Sequence, residues 1–241
     1  MNAVITAGGR VTGDFALEIG TPVKALAPIG GSSLLDRAVA AAREAGATRI
    51  AVVGGDEVRA SGAKVDFFIH EAPTGAQNVH LALSAYGDEA VMYLTSDLPF
   101  ISGAHVRAFM ERTPVGSLGV PLAAAGDYER RFPRAPEHAT TIGRERISNG
   151  SVFLIPAGAA RVIDSMAQRL FSARKDLARM AVMLGPSLLL KFALRRLTIA
   201  DVERKAASLL GFSAFAVRDC APELCFDIDT IEDYRYALEH A

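Results

Sequence analysis

Ala3-Val4-Ile5-Thr6-Ala7-Gly8-Gly9-Arg10, followed by Lys24 in Pro22-Val23-Lys24-Ala25-Leu26, is the stretch on which the reading of this chain turns. An apolar strand runs straight into a glycine pair. Glycine has no Cβ and tolerates positive φ, so bare backbone approaches a ligand closely. Successive N–H groups in such a turn make a concave anion site, to which Arg10 and Lys24 add positive charge. These residues suit a polyphosphate. The competing reading is a glycine turn that only reverses the chain; the place of the turn, after the first strand and ahead of a lysine, favours the phosphate.

Working outward, short apolar runs alternate with helical spacing. Strands are expected at Ala3–Thr6, Arg49–Gly54, Val65–Ile69, Ala90–Thr95, Ser117–Leu122 and Gly150–Pro156. Helices are expected at Ser33–Ala45, stopped by Gly46, and at Asn78–Tyr86 and Ser102–Arg112. This alternation, with continuous apolar strands, predicts an α/β fold: a three-layer, mostly parallel sheet with helices on both faces. In such sheets the ligand crevice lies beyond the carboxyl ends of the strands, where Gly8-Gly9, Gly54-Gly55 and Asp97 all fall. Ala123–Thr141 is rich in Arg, Pro, Glu and Gly and reads as an aperiodic connection. From Ala159 to Leu210 the spacing is helical (Val162/Met166/Leu170, Leu177/Met180/Ala181/Leu184, Leu188–Leu197). Thr198 is the expected N-cap of Ile199–Leu210 and Gly211 its stop. This stretch, about residues 159–211, reads as a helical insertion within a single domain spanning 1–241. Phe215–Val217 and Phe226–Asp229 are expected as the last strands and Ile231–Glu239 as the closing helix.

Composition narrows the classes. Of 241 residues half are hydrophobic and 22% charged, a globular balance with a substantial core. The net charge is −1, with no polybasic run, so neither nucleic acid nor an anionic membrane is an expected partner. Cys220 and Cys225 lie five apart without neighbouring histidines, which suits buried free thiols in a reducing compartment better than zinc. With no signal-peptide pattern and no apolar run long enough to span a bilayer, a cytoplasmic location is expected. His70, His80, His105, His138 and His240 show no metal-ligand spacing, and hydrolase, P-loop and dinucleotide motifs are absent.

Carboxylates carry the rest. Asp97, at the end of a strand and held by Pro99, is placed to ligate a divalent cation, or else to make an Asx turn or cap the next helix. Asp227 and Asp229 flank Ile228, so on a strand both acids share one face and suit a second metal ligand. Alternatively Asp229 or Thr230 caps the helix that follows. Thr74-Gly75 opens a helix whose free N–H groups suit a nucleotide, or is simply capped by Thr74. Asn149-Gly150 presents an amide to a sugar or acceptor, or is a plain turn.

In this order the motifs resemble the MobA-like nucleotidyltransferases, which share the glycosyltransferase-A-like fold. Ala7-Gly8-Gly9 and Lys24 are similar to that family's opening strand, Ala-Gly-Gly turn and lysine. Pro28–Leu35 resembles the segment that starts its next helix, and Ser96-Asp97-Leu98-Pro99 its metal-binding Asp-x-Pro turn. The loop that closes over the base is matched by Thr74-Gly75, the acceptor-contacting Asn-x-Gly strand by Ser148-Asn149-Gly150, and the second metal ligand's segment by Asp229-Thr230. The resemblance implies transfer of a nucleoside monophosphate from a nucleoside triphosphate to a phosphorylated small molecule, with pyrophosphate released. It implies Lys24 and Arg10 as catalytic residues, Ala7, Gly8, Gly9, Gly54, Thr74 and Gly75 around the nucleotide, and Asn149 and Gly150 around the acceptor. Mg²⁺ would sit on Asp97, Asp229 and Asp227; a homodimer is a candidate assembly. The family's second arginine and Met-Gly are missing: Val11–Glu18 is longer and carries two acids. A nucleotide-sugar-dependent glycosyltransferase and a non-catalytic nucleotide binder are the rival readings, the first weakened by the single acid of Ser96-Asp97-Leu98-Pro99.

Overall fold

Residues of the central strands alternate between two buried faces, and that alternation builds the layers. The computed structural model describes residues 1–136, 139–173 and 185–241. Strands β1 (Asn2–Thr6), β2 (Pro28–Ile29), β3 (Ser32–Ser33), β4 (Arg49–Gly54), β5 (Phe67–His70) and β6 (Val91–Thr95) occupy the first part of the chain. Ala3 and Ile5 of β1, Ile50 and Val52 of β4, and Met92 and Leu94 of β6 enter one apolar core. Val4, Ala51, Val53, Val91 and Tyr93 enter another on the opposite face. A strand buried on both sides must be apolar at every position, which is why these runs are continuous and not alternating.

Helices α2 (Leu34–Glu44) and α5 (Gly103–Arg112) cover the first face through Leu34, Leu35, Ala38, Val106 and Phe109. Helices α4 (Gly75–Ser84) and α7 (Ala160–Ala173) cover the second through Ala82, Leu83, Ala160 and Ile163. Ahead of α7 the chain also holds α1 (Gly13–Ile19), α3 (Asp56–Ala60), β7 (Leu118–Ala124), α6 (Ala125–Arg131), β8 (Thr140–Ile142), β9 (Glu145–Asn149) and β10 (Val152–Ile155). The chain then forms α8 (Pro186–Ala193), α9 (Ile199–Leu210), β11 (Ala214–Val217) and α10 (Ile231–His240). The main sheet runs β5-β4-β1-β6-β10-β7-β9-β8, with β11 paired to β7. It is the expected three-layer α/β sheet. Its β5-β4-β1-β6 half is parallel throughout, whereas β10 and the β8–β9 hairpin run antiparallel.

Register places the crevice. Thr6 is paired with Val53 on one side and Thr95 on the other, and Gly54 with His70. The segments leaving these four strands therefore depart from one rim. Small ladders carry the pattern one residue further: Ala7 donates its amide to the Val53 carbonyl (2.8 Å) and Ser96 to that of Thr6 (3.2 Å).

Two sequence expectations are corrected. Ala123–Thr141 is not an aperiodic connection: it holds the end of β7, helix α6 and the start of β8. Ala125, Tyr128 and Phe132 recur at helical spacing and are buried, a signal diluted by the charged residues between them. Phe226–Asp229 is not a strand but an irregular segment, because it docks on the turn after β6 through one hydrogen bond, Ile228 N to Asp97 O (3.0 Å), and not on a sheet edge. The helical stretch after Ala159 is helical where described, in α7, α8 and α9. Leu177, Met180, Ala181 and Leu184, like His138, lie outside the described residues. Thr198 caps α9 reciprocally with Asp201, and Gly211 ends it in the left-handed conformation, as expected.

Candidate active site

Glycine at positions 8 and 9 carries the turn out of β1, and the next segment doubles back against it. Val11 donates to the Pro22 carbonyl (2.9 Å) and Lys24 to that of Gly9 (2.9 Å), with Arg10 bridged to Val23. The Lys24 backbone is thereby fixed beside the turn, and its side chain passes over Gly9, whose missing Cβ would lie 3.4 Å from Lys24 Cε. The Lys24 ammonium reaches Asp97 Oδ2 at 2.6 Å and Asp229 Oδ1 at 3.2 Å. Burial works against its charge, but Asp97 first and then Asp229 outweigh it, and its pKa is raised above the usual lysine value.

Each carboxylate is delivered by its own local structure. Asp97 follows the last β6 residues and keeps its side chain only 14% exposed. Asp229 sits just before α10, where Thr230 is the N-cap: its hydroxyl accepts from Asp233 N, and the Asp233 carboxylate accepts from the Asp229 and Thr230 amides (3.1 and 2.8 Å). The capping reading therefore belongs to Thr230, which leaves the 64% exposed Asp229 side chain for Lys24.

A crevice of about 580 Å³ opens in front of this cluster. Its lining includes Gly8, Gly9, Arg10, Lys24, Glu71, Thr74, Gly75, Asn78, Tyr93, Thr95 and Asp97. Thr74 caps α4, accepting from Gln77 N (3.3 Å), and the N-terminus of that helix borders the crevice. On the floor Tyr93 Oη and Thr6 Oγ1 are hydrogen-bonded (3.1 Å); burial pushes the Tyr93 phenol up in pKa, partly offset by that bond. Arg10 is in the crevice but is held by the Glu71 carboxylate and, at 3.3 Å, by Glu57.

Three buried oxygens of residues that line this crevice have no hydrogen-bond partner: Asp97 Oδ1, Thr95 Oγ1 and Glu71 Oε2. An unpaired buried carboxylate oxygen is costly, and Asp97, whose carboxylate shares the Lys24 ammonium with Asp229, suits a divalent cation. Mg²⁺ is bound through one or two carboxylates, with phosphate oxygens and water completing its shell. Among the described residues no group of three or more His, Cys, Asp or Glu side chains is poised for a metal. Asp227, the expected third ligand, is thus not part of any such group. Phe226–Asp229 is irregular, and there Asp227 Oδ2 accepts from Ser151 Oγ (3.5 Å).

Comparison with known proteins decides the family at this point. Residues 3–184 match the MobA-like NTP transferase domain. The chain belongs to the MobA-like NTP transferase family. Among solved structures, a hypothetical transferase from Thermus thermophilus shares the fold with a TM-score of 0.84 at 27% identity, over 97% of this chain and 99% of that one. A 2-C-methyl-D-erythritol 4-phosphate cytidylyltransferase from Saccharopolyspora erythraea is 33% identical over 162 residues, 60% of this chain and 69% of that protein. The bifunctional protein GlmU of Acidithiobacillus ferrooxidans is 31% identical over 111 residues, 43% of this chain, and the chain spans 24% of its length.

Within this MobA-like frame, several sequence-derived residues fall off the crevice. Ala7 is fully buried, with its amide committed to β4. Gly54 packs under Val58, whose side chain a Cβ there would meet at 2.7 Å. Asn149 lines a separate apolar groove with Leu118, Val120 and Ile199. Gly150 is a close-packing glycine: a Cβ would lie 2.6 Å from the Leu224 carbonyl oxygen. Within the acidic Val11–Glu18 stretch, Gly13 onward folds into α1, and Glu18 is engaged by Arg235 of α10 (2.6 Å). Glu71, Asn78 and Thr95 escaped the sequence reading. Glu71 was visible only as the first residue beyond a strand end, whereas Thr95 and Asn78 carried no motif.

Proposed function

We propose that this MobA-like protein transfers a nucleoside monophosphate from a nucleoside triphosphate to a phosphorylated small-molecule acceptor and releases pyrophosphate. The observation that carries the reading is the Lys24 ammonium between Asp97 and Asp229, beside the bare Gly8-Gly9 backbone. An oxygen of the acceptor phosphate attacks the α-phosphorus, the bond to the bridging oxygen of the β-phosphate breaks, and pyrophosphate departs. The attacking phosphate is already a nucleophile, so no general base is required. Positioning and charge neutralisation must supply the acceleration.

The Gly8 and Gly9 amides bind the phosphates, Lys24 neutralises charge at the reacting phosphate, and Thr74-Gly75 with the α4 N-terminus borders the nucleoside. Arg10 serves the leaving pyrophosphate once its contacts with Glu71 and Glu57 are exchanged. Asp97 and Asp229 would hold Mg²⁺, which when bound neutralises negative charge on the triphosphate. The measurement that tests this is pyrophosphate release with each of four triphosphates and a panel of phosphorylated acceptors, with and without Mg²⁺. Acceptor-dependent release that Asp97→Ala abolishes, while circular dichroism shows the variant folded, is expected. Tight nucleotide binding without turnover on any acceptor would overturn the reading in favour of a binding protein.

A further inference from the structure

We propose that Lys24 is a built-in competitor of the divalent cation: it holds Asp97 and Asp229 together in the nucleotide-free protein and yields them only when a triphosphate draws its ammonium away. This inference rests on the metal role given to the two carboxylates above. Nζ lies 2.6 Å from Asp97 Oδ2 and 3.2 Å from Asp229 Oδ1, so it occupies the space between the carboxylates that a shared cation requires. Mg²⁺ sits about 2.0–2.1 Å from its oxygens, so an ion on both acids would stand against a second positive charge at close range.

The backbone cannot relieve that conflict. Lys24 N is bonded to the Gly9 carbonyl, Ala27 N to that of Lys24, and Arg10 is bridged to Val23. Only the side chain is free to turn. Its Cε lies over the face of Gly9 that a Cβ would fill, so rotation of the last bonds leaves Nζ above the Gly8-Gly9 turn, where the phosphates bind. The 64% exposed Asp229 is the contact that opens with least cost, whereas Asp97 and Lys24 are shielded at 14% and 15% exposure. Asp97 Oδ1, buried and unpartnered, is the oxygen that gives up no hydrogen bond when an ion is bound. Nucleotide and cation therefore assist each other through one amine, and linkage makes that assistance reciprocal.

Mn²⁺ binding read by electron paramagnetic resonance tests the idea without turnover. The nucleotide-free proteins compared are wild type, Lys24→Met, which keeps the apolar stem, Lys24→Gln and Asp97→Ala. The expected result is that both Lys24 variants bind Mn²⁺ about tenfold more tightly than wild type, a typical coupling magnitude. A triphosphate should tighten Mn²⁺ binding in the wild type but much less in the variants. Thermal melts add a second readout: Mn²⁺ should raise the Tm of Lys24→Met more than that of the wild type. If wild type binds Mn²⁺ through Asp97 and the Lys24 variants bind it no better, the inference is overturned while the metal role stands. If no protein binds Mn²⁺ even with triphosphate, both are overturned.

Discussion

Gly8 lies where the crevice wall is tightest: a Cβ there would run into the Glu71 carboxylate and stand 2.9 Å from Asn78 Nδ2. Both neighbours are already committed, Glu71 to Arg10 and the Asn78 Oδ1 to the Ala72 amide (2.7 Å). Gly8→Ala should therefore push the crevice wall outward and cost about 1–3 kcal/mol, the usual scale of overpacking. Urea unfolding and triphosphate titration check this; unchanged stability together with unchanged affinity would refute the close-approach role. At Lys24 the expectation concerns rate. Removing one preorganised charge-stabilising group usually costs about a hundredfold or more in kcat, so Lys24→Ala should lose at least that much pyrophosphate release per folded molecule. Retention of near-normal kcat would remove Lys24 from the chemistry.

At the level of elements, the site depends on how α10 begins. Thr230 and Asp233 form a reciprocal cap, and the same Asp233 carboxylate ties down the Asp229 amide. Thr230→Ala should cost about 1 kcal/mol of stability, the typical value of an N-cap hydroxyl. Its denaturant slope should be unchanged, because the surface exposed on unfolding is the same. A loss below a few tenths of a kcal/mol would show that Asp233 alone suffices. The segment before the cap is seated by an aromatic group: Phe226 meets Phe100 edge-on at 5.0 Å and Phe132 at 4.9 Å. Phe100 belongs to the turn that carries Asp97, so this contact and the Ile228–Asp97 hydrogen bond join the two carboxylate-bearing segments. None of it could be anticipated from Phe226–Asp229 read as a strand. The apolar–polar alternation was genuine, but it arises from one-sided packing on a turn.

For the whole molecule, buried acids set the response to alkali. Burial pushes the Cys225 thiol up to about 12 and the Tyr86 phenol up to about 12. The Cys220 thiol and the Tyr93 and Tyr128 phenols are also raised by burial. In the unfolded chain thiols titrate near about 8.5 and phenols near about 10. Above about pH 8.5 the unfolded chain thus gives up protons that the folded chain keeps, and stability must fall as pH rises towards 12. The Tm should be level from pH 7 to 8 and then decline steadily; a constant Tm to pH 11 would contradict it. Both thiols should also resist alkylation at pH 8 until the protein is unfolded. Among the described residues no helix is long and apolar enough to cross a membrane.

Much of the fold was legible because its signals are local. Continuous apolar runs specify strands buried on both faces, glycine after a strand end specifies a bare turn, and Thr198 and Gly211 mark a helix start and stop within a few residues. The residues that line the crevice were partly legible too, Gly8-Gly9 and Asp97 as residues beyond strand ends and Lys24 as the cation that follows the first turn. What packing alone decided was partnership. Lys24 and Asp229 are 205 residues apart, and nothing in either neighbourhood names the other. Their meeting follows from the docking of Ile228 on the Asp97 turn and from the cap of α10. The same holds for other partnerships: Asn149 lines a separate groove, Asp227 meets Ser151, and Arg10, within the crevice, pairs with Glu71. A single chain states which groups are available and how its backbone bends locally, but which acid faces which base is settled only by the three-dimensional balance of burial, hydrogen bonding and charge.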